Sequence, residues 1–434
     1  MNWLLLATLL AITLGAYFLN SGVFLHPGVI ASAVFSMSAF FLCLNPQWQI
    51  MISFKTYVFI VCGVFLFVVG CQVGGIINLP IKLLKNDCVD RISLFNMPRI
   101  AEKKKILWLV DLICIGVVLL YFRNQYQVSV SLGNRSGISG MISTLRSVVQ
   151  TDTDAFQLGI LLNTGLAFCR AAGNICLFLL IDSFATRKGK KRYFLIPIVC
   201  LFGSVILSTG RGAFIGIVTA IVYDIYIVQK IRTGKEINRK MIKYAFIGFI
   251  LFFIVFRLLG ILTGKSSVLS FWDTLSIYVG SSIGCLDNFL NGTWQLSTPF
   301  ASSTFRGIYN IFHMLGFSAP AVSNHAEMFR WQQYSSNVYT SFYPYLLDFG
   351  VPLTLVIQIL LGLFCGLLWK KYVARENSYF LVITYGRFLG ASLVYFSIAE
   401  RLCSNNLALN VFVEIFFFFI LIRLLCKKTE TTNK

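Results

Sequence analysis

Long apolar stretches alternate with short polar connections along almost the whole chain. About 20 consecutive apolar residues are enough for a helix to cross the hydrocarbon core of a bilayer. Runs of this length recur from end to end. The pattern therefore predicts about eleven membrane-spanning helices. Their predicted ranges are 3–19, 28–44, 57–80, 106–122, 157–183, 193–209, 212–229, 244–263, 350–369, 378–398 and 405–425.

Composition supports this interpretation. Of the 434 residues, 57% are hydrophobic and only 12% are charged, whereas an average soluble domain has about 25% charged residues. A soluble multidomain protein is therefore excluded. We expect residues 1–434 to form one integral membrane domain of the all-α class, a polytopic bundle of transmembrane helices. No internal repeat is found, which argues against the inverted-repeat plan of many transporters.

The net charge of +20 is distributed unevenly. Most lysines and arginines fall in short connections that share one side of the predicted topology. The positive-inside rule makes that side cytoplasmic. The charge thus indicates membrane orientation, and no nucleic-acid partner is expected. The basic connections are 82–105, 187–192, 230–243, 370–375 and the tail 423–434.

Two longer connections lie on the opposite side, residues 123–156 and residues 265–349. We call residues 265–349 the outer segment. It is rich in Gly, Ser and Asn and in aromatic residues, including Trp272, Trp294 and Trp331. Connections this long are usually functional or disordered, and this one is too aromatic for disorder. We expect short helices at the membrane surface there, and we expect the functional residues to lie in it.

Arginine is the residue type best suited to hold phosphate groups, because its planar fork binds phosphate bidentately and stays charged. Arg211 lies in the turn Ser208–Ala213, where the next span begins. The amides and positive dipole end of that helix favour an anion beside Arg211. The alternative is an arginine that reaches to lipid headgroups. Further candidates for anion binding on the outer side are Arg306, Arg330 and Arg401.

Arginines also occur inside predicted spans, where a charge costs several kcal/mol and usually marks a cavity or a partner. Arg170 is the deepest of them, and Arg387 is another. Arg170 is a candidate for binding an anionic substrate. The alternative is a structural ion pair.

Four residues of the outer side could remove a proton from an acceptor hydroxyl. His325 and Glu327 lie in the segment Asn324–Arg330, which offers a base and an arginine together. Asp348 could act as a base or could cap the following helix, and Glu400 could pair with Arg401. No HxxxH spacing and no Walker loop is present, and we predict no metal site and no cofactor.

The outer segment and the span after it resemble the O-antigen polymerases, which join oligosaccharide repeat units of bacterial surface polysaccharides. The resemblance covers roughly residues 200–370 and rests on an ordered set of short motifs. These are Ser208–Ala213, Tyr278–Gly280 with Asp287–Leu290, Ser303–Gly307, and Ser336–Tyr343 running into Asp348–Gly350.

The resemblance implies an inverting glycosyltransferase of the polytopic, GT-C-like type in the bacterial inner membrane, with its active face in the periplasm. Such an enzyme transfers a growing glycan from undecaprenyl pyrophosphate onto an incoming lipid-linked repeat unit, in lipopolysaccharide O-antigen biosynthesis. Arg211 would then engage pyrophosphate. The residues Asn337, Tyr339, Thr340 and Asp348 would shape the site. The implied partners are the lipid-linked oligosaccharides, membrane lipids and a chain-length regulator protein.

Two alternatives use the same lipid-linked substrates. An O-antigen ligase would transfer the glycan to the lipid A core, but the stretch from Asn337 to Gly350 favours a polymerase. A flippase would need charges lining a central cavity, for which Arg170 and Arg387 are candidates. The long outer segment argues against a flippase, because a transporter has no need of it.

Overall fold

The fold is taken from a computed structural model. The structure describes residues 1–77, 104–137, 140–145, 158–186, 191–208, 211–233, 271–322, 326, 328–332, 334–374 and 379–425. The predicted span 244–263, the predicted bases His325 and Glu327, and most of the basic connections lie outside the described residues.

Helices make up most of the described chain. In chain order they are α1 (Asn2–Leu19), α2 (Pro27–Cys43), α3 (Phe54–Ile76), α4 (Lys104–Ser131), α5 (Ile160–Thr186), α6 (Leu195–Leu207), α7 (Arg211–Thr233), α8 (Phe271–Asn291), α9 (Arg306–Met314), α10 (Phe342–Ala374), α11 (Tyr379–Tyr385), α12 (Ala391–Val394) and α13 (Leu409–Leu425). A π-helical turn, Gly386–Gly390, connects α11 to α12. The 3₁₀ turns Pro46–Trp48 and Lys191–Phe194 precede α3 and α6.

The membrane character of the chain is clear from these helices. Six helices of the described part are long and apolar enough to cross a bilayer. Three more apolar helices are shorter: Pro27–Cys43, Arg192–Leu207 and Phe380–Val394. The protein is thus a helical, multi-pass membrane protein, while the count of eleven spans and the GT-C-like fold stay predictions. The six longer helices are Asn2–Leu19, Phe54–Ile76, Lys105–Ser131, Ile160–Ala185, Gly212–Lys230 and Phe342–Val373.

The described residues form two compact units. The first unit takes its residues from Met1–Lys85, Ser270–Glu376 and Phe388–Leu409. The second takes its residues from Asn86–Leu269, Asn377–Arg387 and Asn410–Lys434. The single membrane domain expected over residues 1–434 stays a prediction.

In the first unit, α3 and α10 pack with their backbones almost in contact, because glycines occupy both sides of the contact. A Cβ atom added at Gly70 or Gly74 would lie 2.3 or 2.2 Å from a carbonyl oxygen of α10. One added at Gly362 or Gly366 would lie 2.2 Å from a carbonyl oxygen of α3. Each helix carries its pair in the Gly-xxx-Gly spacing that allows close helix packing in membranes.

The outer segment contains a longer and more buried helix than the short surface helices that the sequence predicted. Its first helix, α8, has 21 residues and packs on α2, where a Cβ at Gly280 would lie 3.0 Å from Phe41 and Leu42 atoms. Asp287 of α8 accepts hydrogen bonds from the backbone N–H (2.9 Å) and the hydroxyl (2.8 Å) of Ser53, which caps α3. Ser276, Ser281 and Ser282 are buried. This buried face is small and polar, so hydropathy alone did not reveal it.

The outer segment also contains a short antiparallel hairpin, which is an exception to the all-α class. Strand β1 (Phe329–Trp331) pairs with β2 (Tyr334–Ser336) in the register Phe329↔Ser336 and Trp331↔Tyr334. Three residues are too few to show a period-2 pattern in the sequence. The hairpin packs its aromatic side on Trp48, whose ring centroid lies 5.7 Å from that of Trp331.

In the second unit, α5 packs against α4, α6 and α7. Small residues allow this close packing: a Cβ at Gly165 would lie 2.8 Å from Val117 of α4, and one at Gly173 would lie 2.5 Å from Leu201 of α6. Helix α4 continues to Ser131, past the predicted end of its span at residue 122. Its last turns stay helical because Gln125 and Ser129 are buried there.

Candidate functional site

Asp348 anchors part of the outer segment to α10. Its side chain is 1% exposed. One carboxylate oxygen accepts hydrogen bonds from the Ser297 hydroxyl and from the Ser303 N–H (3.2 Å), and the other accepts from the Thr304 N–H (2.6 Å). The Ser297 N–H also donates to the Leu347 carbonyl at 2.7 Å. Asp348 therefore fixes residues 297–304 against the start of α10.

Gly350, two residues after Asp348, has a backbone conformation that accounts for a glycine at the end of the motif Asp348–Gly350. Its backbone has φ 70° and ψ 179°, and it interrupts the helical geometry of α10. Residues other than glycine rarely adopt a positive φ of this kind. The kink separates the first turns of α10, which hold Asp348, from the long membrane helix that follows.

The stretch Asn337–Ser341 enters α10 from the hairpin. Ser336 accepts a hydrogen bond from the Ser281 hydroxyl (2.8 Å), and its own hydroxyl oxygen accepts from the Val338 N–H (3.1 Å). Asn337 is exposed, whereas Tyr339 and Thr340 are buried. The Tyr339 ring stacks on Tyr343 with centroids 4.1 Å apart. Of the three predicted substrate residues, Asn337 alone presents its side chain to the surface.

Glu400 is buried. The alternative in which Glu400 and Arg401 form a solvent-exposed pair is therefore wrong. The exposed fraction of Glu400 is 8%. One carboxylate oxygen accepts from the Tyr345 hydroxyl and the Cys403 N–H, both at 2.8 Å, and the other accepts from the Ser404 N–H at 2.7 Å. Glu400 thus closes the turn that follows it and ties this turn to α10.

Arg306, at the first position of α9, is half-buried in the neighbourhood of Glu400. Burial lowers the pKa of Arg306 from its ordinary value, while the negative charge of Glu400 acts in the opposite direction. A cavity of about 120 Å³ lies beside it. Its polar lining comes from Arg306, Asn310, Ser404 and Asn405, and its apolar lining from residues that include Met314 and Leu409.

These contacts assemble one site from three parts of the first unit. Asp348 holds Ser303 and Thr304, Arg306 follows two residues later, and Glu400 joins Tyr345 to the turn 401–404. We call this arrangement the polar cluster of the outer segment. The sequence had marked Asp348, Glu400 and Arg306, but it had not indicated Tyr345 or the backbone amides, which have no signature of their own.

The other two predicted arginines of the first unit lie outside these contacts. The Arg401 guanidinium carbon lies 3.5 Å from the centre of the Tyr395 ring, in a cation–π contact. Arg330 lies on β1 and is exposed. Arg401 is half-buried, and the described contacts do not bring these two arginines together.

Two predicted site residues belong to the second unit. Arg211 is the first residue of α7, as the predicted helix start required, but its side chain lies outside the described residues. Arg170 forms an ion pair with Glu414 of α13, Nε to Oε2, at 3.0 Å. Arg387 contacts the same carboxylate, with 3.0 Å between its Nε and Oε1. Glu414 went unnoticed in the sequence, although an ionisable residue in an apolar helix is itself a signal.

The fold and the polar cluster define the class of this protein. It is a multi-pass helical membrane protein with a polar, ordered outer segment. The chain is similar to an O-antigen polymerase of Shigella dysenteriae, with 25% identity over 292 residues. The match covers 64% of this chain and 63% of that relative, so the similarity spans slightly less than two thirds of either protein. No protein-family model and no solved structure matches the chain.

Proposed function

We propose that this protein is an O-antigen polymerase of the bacterial inner membrane. In this proposal it transfers a growing glycan from its undecaprenyl pyrophosphate carrier onto the non-reducing end of an incoming lipid-linked repeat unit at the periplasmic face. The observation that carries the proposal is the similarity over 292 residues to a protein of that name. The helical membrane fold and the ordered polar cluster are consistent with it.

The leaving group of this reaction is a pyrophosphate, and the arginines of the outer side are proposed to hold it. Arg306 suits this role best among the described residues, because it is partly desolvated and lies beside a cavity at the start of α9. A desolvated cation interacts more strongly with developing negative charge than a solvated one does. Arg211, Arg330 and Arg401 are the further proposed ligands of pyrophosphate or glycan.

The catalytic base is proposed to be His325 or Glu327. The third candidate, Asp348, accepts three hydrogen bonds from the loop that it holds, and its exposed fraction is 1%. A carboxylate committed in this way is a poor acceptor for a substrate proton. We therefore assign Asp348 to positioning the loop that leads into Arg306. Asn337, Tyr339 and Thr340 are proposed to shape the glycan site, with Asn337 making direct contact.

Catalysis in this proposal needs no cofactor, because the donor already carries an activated sugar. The enzyme confines two lipid-linked substrates to one surface, which replaces a three-dimensional search by positioning. Preorganised arginines stabilise the departing pyrophosphate. The glycan chains are the substrates, and a chain-length regulator is the proposed protein partner.

The test is the lipopolysaccharide ladder of a strain that lacks the gene. Deletion should leave core carrying a single repeat unit, and the wild-type gene should restore the ladder. Arg306→Ala and Arg211→Ala, at expression matched by immunoblot, should not restore it. Arg211→Lys should also fail, because a point charge cannot reproduce a forked contact.

Arg423→Ala is the matched control, since Arg423 is exposed and lies at the predicted cytoplasmic end of α13. It removes one arginine and should restore the full ladder. Bare core after deletion would favour a ligase or a flippase instead. An unchanged ladder after deletion would contradict the polymerase function.

A further inference from the structure

Two arginines share one carboxylate within the apolar helices of the second unit. Arg387 donates to both oxygens of Glu414, Nε to Oε1 at 3.0 Å and Nη2 to Oε2 at 3.2 Å. Arg170 donates through Nε to Oε2 at 3.0 Å. We call Arg170, Arg387 and Glu414 the arginine–glutamate triad. Its formal charge is +1, because two guanidinium groups face one carboxylate.

The two guanidinium groups are more accessible than the carboxylate. The Glu414 side chain is 1% exposed, whereas those of Arg170 and Arg387 are 23% and 22% exposed. Among the described contacts, Arg170 donates its hydrogen bond to Glu414 through Nε, and no hydrogen bond from its Nη groups to this carboxylate is seen. A guanidinium with free N–H groups in a low-dielectric environment favours a second anion.

The backbone around Arg387 is also unusual. Arg387 lies in the π-helical turn Gly386–Gly390, and such turns occur mostly as single insertions in α-helices, often at functional sites. Gly386 packs against α7, where an added Cβ would lie 2.7 Å from Tyr223. An ion pair that only holds helices together, with no net charge, would need one arginine for the one glutamate. The second arginine and the π turn together indicate a built site.

We propose that the arginine–glutamate triad binds the phosphate group of a lipid. Arg170 makes the contact through its Nη groups, which donate no hydrogen bond to Glu414 among the described contacts, and Glu414 is a positioning residue that orients both guanidinium groups. Phosphate fits the fork of arginine bidentately. Because the triad lies among apolar helices, a phosphate reaches it attached to a lipid, either a prenyl diphosphate or a phospholipid headgroup.

This inference does not depend on the polymerase function, because a phospholipid would satisfy it equally. The test uses full-length protein purified in detergent and stripped of lipid. Native mass spectrometry measures the affinity for three probes: undecaprenyl diphosphate, phosphatidylglycerol and undecaprenol, which lacks phosphate. The proteins compared are wild type, Arg170→Met, Arg170→Lys and, as a probe of the other cluster, Arg306→Met.

Arg170→Met leaves the complete and neutral Arg387–Glu414 pair, so the protein should keep its fold. Its affinity for the phosphate lipid should fall at least tenfold, with undecaprenol binding unchanged. Arg170→Lys keeps the ion pair but loses the fork, and it should show a loss of at least fivefold. The phosphate lipid that loses affinity identifies the natural class. If Arg170→Met does not fold, Arg170→Lys alone decides the question.

The inference would be overturned if Arg170→Lys and a folded Arg170→Met both bind the two phosphate lipids with wild-type affinity. The triad would then be an ion-pair network with a structural role only. An equal loss of undecaprenol binding would also overturn it, because phosphate would then not be recognised. A loss of diphosphate binding in Arg306→Met alone would support the polymerase site and contradict the triad site. The ladder experiment tests the polymerase function separately.

Discussion

Replacing Gly74 by alanine is expected to destabilise the contact between α3 and α10. The added Cβ would lie 2.2 Å from the carbonyl oxygen of Leu363 and 3.0 Å from its carbonyl carbon and the Leu367 nitrogen. Carbon and oxygen atoms normally come no closer than about 3.3 Å. The two helices must therefore separate by about 1 Å, since a backbone carbonyl cannot rotate away as a flexible side chain would.

Overpacking of this kind costs about 1–3 kcal/mol. The separation also loses dispersion contacts along the rest of the glycine seam, at Gly70, Gly362 and Gly366. Because α10 carries Asp348 at its other end, the shift is expected to weaken the outer segment as well. Gly74→Ala should thus lower the stability of the protein and, under the proposed function, shorten the lipopolysaccharide ladder.

Gly75→Ala is the control, because the residue is adjacent in α3 and a Cβ there meets nothing within 4 Å. Alanine should be neutral or stabilising there, by up to about 1 kcal/mol, since glycine has the lower helix propensity. Thermal unfolding of both variants, purified in the same detergent, measures the difference. A Gly74→Ala protein that unfolds at or above the midpoint of Gly75→Ala would refute the close packing of α3 and α10.

Three further predictions concern the polar cluster and the start of α10. Asp348→Asn should cost about 1–3 kcal/mol and shorten the ladder, because an amide group would face the Thr304 or Ser303 N–H; a thermal unfolding midpoint equal to wild type would contradict the anchor. Gly350→Ala should cost about 1–2 kcal/mol at a φ of 70°, against no loss in the Gly75→Ala control, as measured by thermal unfolding. Cys403 should react slowly with maleimide at pH 8 until the protein is unfolded. The reason is that burial, and to a smaller extent the negative charge of Glu400, raises the pKa of its thiol to about 12, so the thiol stays protonated. Fast labelling of the folded protein would contradict this prediction.

The outer segment shows how a polar region becomes ordered without an apolar core of its own. Asp287 accepts hydrogen bonds from Ser53, Asp348 accepts them from Ser303 and Thr304, and Glu400 accepts one from Tyr345. These bonds fix the segment to the rest of the first unit. Each carboxylate is surrounded by donors, most of them backbone N–H groups. Buried charges are tolerated when hydrogen bonds satisfy them in this way.

The site could be predicted in part from the sequence. Asp348, Glu400 and Arg306 stood out because charged residues are rare in this chain, and the motif Asp348–Gly350 marked the start of a span. Their roles did not follow from the sequence, because a carboxylate looks the same whether it holds a loop or accepts a proton. Only the three donors around Asp348 make the positioning role the better assignment.

The sequence by itself determined that this protein lies in a lipid bilayer. It also determined the class of the fold and the approximate ends of most helices. Runs of apolar residues are a local property, and a bilayer accepts only backbone that satisfies its own hydrogen bonds. Tertiary structure alone decided which polar groups meet. Glu414 and Arg170 are 244 residues apart and Ser297 and Asp348 are 51 apart, and no local pattern links such partners. Their pairing depends on how the helices pack, which the glycines and small residues of each helix face control.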